Sequence, residues 1–575
     1  MLSHFDCLYQ RQAESLLNYV QAISPDSQAP VNIAILSSRY QQHVEGLYPL
    51  WQQQQRPWHF VVVDCDYRAS VEKWQQSSLP GLAQHKLLPL LGWQRVEIEP
   101  YRLSLNVLFA DSELAWKQVL ADVHCFIIDE AIENYRDILR MSVPQAYFLC
   151  RQVHLEGLQQ ALREASFQCR QEVLAEADWC IVYAESRRPV VRPAASKGRE
   201  VAIIGAGVAG AGVAFALAHR GWKVKIIDPV QWERHPLFNY ASGAVTPLLS
   251  SDDDYKARLS RAGVLRAHAR WQEIAEQVGI RFCGTVELNR DKGHAKDLLE
   301  TVAALDLPHE WVHLVSPAQA SEIAGIPIQQ EGAFFPYGMQ IPPLRLAFAL
   351  WQHPNIERLV WEVQRIERLE SGYRLHGDAG QVIETPFVVI ANAMQSVPLL
   401  ERSALTQRTL KSGQVCSALG RLQSLHALAG EVMMIPSHFV QDGPQCVIGG
   451  QGYYLPEQSG YCVMGSTYVH NELNPQLSAE GQAIIWSKMP IELPVALSTL
   501  QESHQLKGRA CVRAVVQGRL PVVGELASAS GIWLACAFAS HGMTWSALAG
   551  DCVAAALEGE PIPLEKDLFT AISLK

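Results

Sequence analysis

The chain has 575 residues, of which 48% are apolar, and a formal net charge of −10. That length exceeds what one hydrophobic core organises, and that composition excludes a disordered or fibrous chain, so at least two folded parts with substantial cores are expected. The acidic balance argues against wholesale nucleic-acid affinity and leaves a local basic surface as the route to such a partner.

At the N-terminus, MLSHFDCLYQRQAESLL holds no uninterrupted apolar stretch of signal-peptide length, and no later segment reaches membrane-spanning length. A cytoplasmic protein with no membrane partner is expected. Five apolar runs follow: VNIAIL (31–36), FVVVDCD (60–66), VHCFIID (123–129), QAYFLC (145–150) and WCIVYAE (179–185). Buried runs separated by helical patterns predict a doubly wound, Rossmann-type parallel sheet over residues 1–185. Ligands of such sheets lie outside the carboxyl ends of the strands, at the first loop. Here that loop is Ser37-Ser38-Arg39-Tyr40, without a glycine, so side chains stand where a nucleoside needs the bare backbone. Asp64 and Asp66 occupy the place of a ribose-binding acid, and Asp129 reads as a surface acid closing a later strand.

Glycine usage then changes abruptly. Only Gly46, Gly81, Gly92 and Gly157 precede residue 198, and the other 34 follow. SRRPVVRPAASKGRE (186–200) carries two prolines and five basic residues, Arg187, Arg188, Arg192, Lys197 and Arg199, and reads as an exposed linker over 186–199. Those cations favour an RNA partner weakly, because short basic linkers are usually only solvated.

From residue 200 onward the strongest signal is VAIIGAGVAGAGVAFALAHRGWKVKIID (201–228): strand, Gly205-x-Gly207-x-x-Gly210, helix, strand and acid. The order predicts a βαβ unit that seats a dinucleotide pyrophosphate on a helix N-terminus. Gly205 allows the tight turn, Gly207 lets the backbone approach the phosphates, Gly210 lets helix and strand pack closely, and Asp228 can accept ribose hydroxyls. Strand-rich, glycine-punctuated stretches such as VIETPFVVIANA, CVIGGQGYYLP and GYCVMGSTYV predict a β-rich substrate domain inserted into this dinucleotide fold. Near the end, GIWLACAFASHGMTWSALAGDC predicts a strand (532–538), a turn at Ser540-His541-Gly542-Met543 and a helix whose N-terminus lies near the same cofactor. The thirteen cysteines have no C-x-x-C pair or regular spacing, which points to reduced, mostly buried thiols and no metal site.

Taken with the 205–210 loop, ANAMQS (391–396), KSGQV (411–415), CVRAVVQGRLPVVG (511–524) and ASHGMTWSAL (539–548) resemble the D-amino-acid-oxidase group of FAD enzymes, which includes glycine and sarcosine oxidases. A degenerate methyltransferase-like half followed by such a flavin half resembles, more narrowly, the bifunctional tRNA 5-methylaminomethyl-2-thiouridine biosynthesis family. The resemblance covers almost the whole chain, including GAVTPLLS (243–250) and the late EPIP (560–563). It implies a methyltransferase-like domain over 1–185 and an FAD oxidoreductase domain over 200–575. The implied reaction removes the carboxymethyl group from carboxymethylaminomethyluridine at the tRNA wobble position, giving aminomethyluridine and glyoxylate. The family's other half then methylates that amine with S-adenosylmethionine.

Against the family's glycine-rich loop and its DGF-x-P-x-x-NP-x-x-W signature, this chain has AILSSRY and IIDEAIENYRDI, so the first half is expected neither to bind S-adenosylmethionine nor to methylate. In the flavin half LFNYASG (237–243) and Gln517-Gly518-Arg519 also depart from the family's pattern, which bears on substrate preference more than on cofactor binding. Arg513 falls on the position of a carboxylate-clamping arginine in related oxidases, with pairing to a structural acid as the alternative and Arg519 in reserve. His541 is placed beside the flavin, where it can stabilise negative charge on the reduced ring or merely pack. Cys416, Cys511 and Cys536 are expected as small buried hydrophobes rather than as a covalent flavin link, so FAD is expected to be noncovalent. Tyr453, Tyr454 and Tyr468 either stack on a flipped-out uridine or belong to the core. Three functions stay open: demodification of wobble uridine with or without methylation, oxidation of a free small amine or amino acid, and a non-enzymatic tRNA-docking role for the first half.

Overall fold

The computed structural model describes residues 29–54, 56–81, 86–173, 178–186, 198–236, 238–239, 242–289, 298–409, 412, 414–441 and 443–574. The residues read as the linker lie outside this set, apart from Ser186, Gly198 and Arg199. By contact the chain divides into two units, Met1–Ser196 with Ala554–Asp567, and Lys197–Val553 with Leu568–Lys575. None of the helices among the described residues is long and apolar enough to cross a membrane.

The first unit is built on one eight-stranded sheet. In chain order its strands are β1 (Val31–Leu36), β2 (Trp58–Asp64), β3 (Gly92–Glu99), β4 (Leu103–Phe109), β5 (Val123–Ile128), β6 (Ser142–Arg151), β7 (Phe167–Val173) and β8 (Trp179–Ser186). They lie in the order β3-β4-β2-β1-β5-β6-β8-β7. All six residues of β1 are buried because both faces of the sheet are covered. Ile33 and Ile35 enter one apolar layer with Trp58 and Phe60, whereas Ala34 and Leu36 enter the other with Val61 and Phe126. This period of two with both sides apolar turns a continuous hydrophobic run into a doubly wound strand. The centre, β4-β2-β1-β5-β6, is parallel as expected. The purely parallel expectation needs correction at the edges, where β3 runs antiparallel to β4, and β8 runs antiparallel to both β6 and β7. The tail segment 554–567 is tied into this unit: Asn32 Nδ2 donates to Gly559 O at 2.7 Å and Ile562 N donates to Leu120 O at 2.9 Å.

In the second unit Glu200–Ile204 is central to a six-stranded sheet, flanked on one side by Lys223–Ile227 and Ile356–Leu359 and on the other by Phe387–Ile390, Ile532–Cys536 and Val522–Glu525. All are parallel except the last. The predicted strand at 532–538 therefore ends two residues early. A three-stranded antiparallel meander, Val363–Leu369, Gly372–Gly377 and Val382–Thr385, belongs to the same unit. The expected β-rich part is a nine-stranded mixed sheet in which Thr285–Leu288 pairs parallel with Val447–Gly449, and His426–Pro436 pairs antiparallel with Lys507–Val515.

Two helices govern the dinucleotide region. Val208–Ala218 follows the glycine loop and packs against Gly542–Glu558 through small residues, for a Cβ at Gly212 would lie 2.4 Å from Ser546 Oγ and one at Gly550 would lie 2.4 Å from Gly212 O. Farther along, fully buried Asp551 accepts from Arg270 Nη2 at 2.8 Å and Arg220 Nη1 at 3.3 Å, and from Arg266 Nε. Burial opposes the charge, but the three guanidiniums hold the carboxyl well below the usual carboxylate range. Removing one partner of a buried ionic cluster leaves uncompensated charge, which costs roughly 3–5 kcal/mol. Asp551→Asn should accordingly lower the unfolding free energy by about 3 kcal/mol or more in chemical denaturation, and unchanged stability would contradict the cluster's structural role.

Candidate functional site

The glycine loop shows why each glycine is needed. Gly205 has φ +106°, and a Cβ there would lie 2.6 Å from Ala391 O. At Gly210 a Cβ would lie 1.9 Å from Gly205 O, so the helix could not close on the strand. Gly207 is the helix N-cap, offers no side-chain cap, and faces open space, with nothing within 4 Å of an added Cβ. Open space therefore lies beside the first turn of the helix, which fits a bound pyrophosphate. Asp228 does more than the expected ribose contact requires: Oδ2 accepts from Ala206 N at 2.7 Å and Oδ1 from Val230 N at 2.8 Å, so this buried acid fastens the loop to the strand end.

A second helix N-terminus lies against the first. Ser546 Oγ donates to Val208 O at 2.6 Å, and the helix starts at Gly542, directly after the Ser540-His541 turn. Met543 packs over Gly243, where a Cβ would lie 2.5 Å from Met543 Cε. The first turn of this helix also borders a cavity of about 440 Å³, to which Ser540, His541, Met543, Arg513, Tyr453, Tyr468 and Glu287 all contribute.

Arg513 is the cation of that cavity. Its guanidinium carbon lies 5.2 Å from the Tyr468 ring centroid, and its Nη1 is buried with no hydrogen-bond partner among the described residues. Its Nη1 packs against Gly430, where a Cβ would lie 2.2 Å from it. Arg519 is exposed, with φ +56°, and does not line the cavity. His541 stacks on Trp545 with ring centroids 5.0 Å apart, and Ser540 Oγ lies 3.1 Å from its Nδ1. Burial first, then the positive charges of Lys256 and Arg519, push its pKa down to about 4. At neutral pH His541 is therefore an uncharged hydrogen-bonding group and not a second cation.

The aromatic candidates separate. Tyr454 is a core residue at 1% exposure, whereas Tyr453 lines the cavity and Tyr468, 51% exposed, stands at its surface. Of the three cysteines Cys536 is buried as expected, but Cys416 and Cys511 are half-buried, which corrects their reading as core hydrophobes. None of the three lines the cavity. Sequence reasoning missed Glu287. In Thr285–Leu288 its neighbours Val286 and Leu288 enter the core, so the strand's alternation turns the acid to the other face, and an acid between two core positions was the available signal.

In the first unit the expected loop is present, and its acids are engaged internally. Asp129 is not the surface acid expected from its position. It is buried, accepts from Arg39 Nη2 and Arg151 Nε at 2.8 Å each and from Ser37 Oγ at 3.0 Å, and lies 3.3 Å from His43 Nε2. Burial alone would raise its pKa, but His43, Arg151 and Arg39 together drive it far below the usual range. Asp64 Oδ2 accepts from Tyr40 Oη at 2.7 Å and its Oδ1 from Asp66 N at 2.8 Å, while Ser38 donates to Glu130. Asp66 is exposed. The cavity at these strand ends measures about 170 Å³, below the roughly 300 Å³ at which pockets for drug-sized ligands begin.

A largely parallel sheet, a glycine-lined helix N-terminus and an adjoining cavity lined by Arg513 are features of a flavin-type oxidoreductase. The chain belongs to the FAD dependent oxidoreductase family, whose model matches residues 200–556. Over most of its length it is similar to proteins described as tRNA 5-methylaminomethyl-2-thiouridine biosynthesis bifunctional protein MnmC. The one from Burkholderia cenocepacia is 26% identical over 550 residues, 89% of this chain and 80% of that protein. Its counterpart from Cupriavidus necator is 28% identical over 538 residues, covering 84% and 79% respectively. Among solved structures, glycine oxidase from Geobacillus kaustophilus matches 66% of this chain and 99% of its own, with TM-score 0.53 and 21% identity, a likeness of fold.

Gly207→Val would fill the open volume in front of the helix. The purified variant should lose the flavin absorbance near 450 nm while keeping its circular dichroism, and full flavin occupancy would refute the phosphate-loop assignment.

Proposed function

We propose that this protein oxidises the carboxymethylaminomethyl group of the tRNA wobble uridine, giving aminomethyluridine and glyoxylate, and that it does not methylate the product. The observation that carries this reading is Arg513, a half-buried cation lining the cavity beside the dinucleotide loop, whose Nη1 has no hydrogen-bond partner among the described residues. The similarity over 89% of the chain to proteins named for tRNA 5-methylaminomethyl-2-thiouridine biosynthesis supplies the substrate class.

Gly205, Gly207 and Gly210 would hold the pyrophosphate of noncovalent FAD, Asp228 its ribose, and the Ser540-His541 turn would present the second helix N-terminus, at Gly542 and Met543, to it. FAD held there would supply the two-electron oxidation of the substrate's C–N bond, and hydrolysis of the imine product by water would give the amine and glyoxylate. The protein's own work is positioning. Arg513 grips the carboxylate through its fork, which fixes the direction of the C–H bond as well as the charge. Neutral His541 donates or accepts a hydrogen bond at the cavity wall without competing for that carboxylate. Tyr468, exposed and already stacked on Arg513, offers a face to an extruded base.

The first unit does not fit S-adenosylmethionine: its loop lacks the bare backbone, Arg39 and Arg151 close on Asp129, and the cavity is small. No methyl-transfer step is derived for it.

Arg513→Ala should retain FAD while raising the concentration of carboxymethylaminomethyl-tRNA that half-saturates anaerobic flavin reduction by roughly ten- to a hundredfold, the equivalent of a charge-assisted bond worth about 1.5–3 kcal/mol. Arg513→Lys should recover little, since an ammonium cannot reproduce the fork. Unchanged kinetics in both variants would remove the clamp. Reduction of the wild-type flavin by glycine or sarcosine and not by the tRNA would assign the protein to small-amine oxidation instead.

A further inference from the structure

Glu287 and Arg513 put opposite charges on the lining of one cavity. Each is accommodated by a glycine on a neighbouring strand. Glu287 is directly in register with Gly449, and a Cβ there would lie 1.8 Å from Glu287 Oε2. Gly430 makes the corresponding space for Arg513, and Gly449 itself lines the cavity. Strand alternation explains the first arrangement: Val286, Leu288 and Ile448 enter the core, so Glu287 and Gly449 share the opposite face.

We propose that Glu287 is a second substrate-contact residue, which accepts a hydrogen bond from the secondary ammonium of the substrate while Arg513 holds its carboxylate. The cavity then recognises an N-substituted glycine as a zwitterion, the form that predominates in water at neutral pH. This inference rests on the amine-oxidation reading above and deepens it. A carboxylate that lacks an amine would then bind less tightly, because an ether oxygen has no proton to give Glu287.

A carboxylate next to an ammonium favours the charged amine and raises its pKa, whereas oxidation requires the neutral amine. Glu287→Gln should therefore do two opposite things: raise the half-saturating concentration about tenfold, and shift the acid limb of the limiting flavin-reduction rate to lower pH. The other titratable groups facing the cavity are Arg513, Tyr453, Tyr468 and His541. Burial keeps Tyr453 protonated well above neutrality, and His541 is neutral above about pH 4, so neither of these supplies a limb between pH 6 and 9.

The test is anaerobic stopped-flow reduction of the full-length holoenzyme by carboxymethylaminomethyl-tRNA across pH, for wild type, Glu287→Gln and Gly449→Ala. Gly449→Ala should push the carboxylate away and weaken saturation as Glu287→Gln does, and the double variant should be no worse than Glu287→Gln alone. A structural role alone would lower FAD content or stability without moving the acid limb. Wild-type reduction with unaltered saturation and pH profile in Glu287→Gln overturns this inference and leaves the oxidation reading intact. Failure of the wild-type flavin to be reduced by the tRNA overturns the reading, and the inference with it.

Discussion

The second unit depends on the contact between two helices that have no room for side chains between them. Gly212 lies against Ser546 and Gly550 at separations no Cβ could survive, and Ser546 is bonded to Val208 in the first turn of the glycine-loop helix. Because the backbones meet, both N-termini are presented side by side, and their partial positive charges converge where a dinucleotide's phosphates would lie. Asp551, gripped by Arg220, Arg266 and Arg270, fixes the relation of the same helices farther along. Packing thus fixes the two helix ends side by side, as the proposed cofactor site requires.

The same principle, space kept by glycine, recurs in the substrate cavity and is missing from the first unit. Gly430 and Gly449 let Arg513 and Glu287 lie flat against neighbouring strands. In the first unit the corresponding strand-end loop carries Ser37, Ser38 and Arg39, and the side chains that fill it also neutralise its acids: Arg39 and Arg151 close on Asp129, and Tyr40 closes on Asp64. The second unit leaves open space before its glycine-loop helix, while at the first unit's strand ends internal ion pairs and hydrogen bonds occupy the corresponding loop.

Much of this was legible from sequence where a residue type answers one steric demand. The Gly205, Gly207 and Gly210 pattern, the five apolar runs of the first sheet and the late turn before the helix at Gly542 all follow from local chemistry. What stayed hidden depends on partners remote in the chain. β7 mixes polar and apolar residues at the sheet's edge, whereas in β3 and β4 buried polar residues such as Gln94, Glu97, Ser104 and Asn106 interrupt the apolar run, so these strands do not stand out. Asp129 looked like a surface acid because its two arginines are 90 and 22 positions away. Glu287 was missed because its cradle, Gly449, is more than 150 residues downstream, although the alternation around it marked an acid turned away from the core.

The central claim is that one chemistry survives in a chain built like a two-chemistry protein. It is tested most directly by nucleoside mass spectrometry of the wobble uridine after tRNA carrying carboxymethylaminomethyluridine is incubated with the purified full-length protein, with and without S-adenosylmethionine. The account predicts conversion to aminomethyluridine, identical in both reactions. Methylaminomethyluridine appearing only when S-adenosylmethionine is present would contradict it, and so would the absence of any conversion by flavin-replete protein.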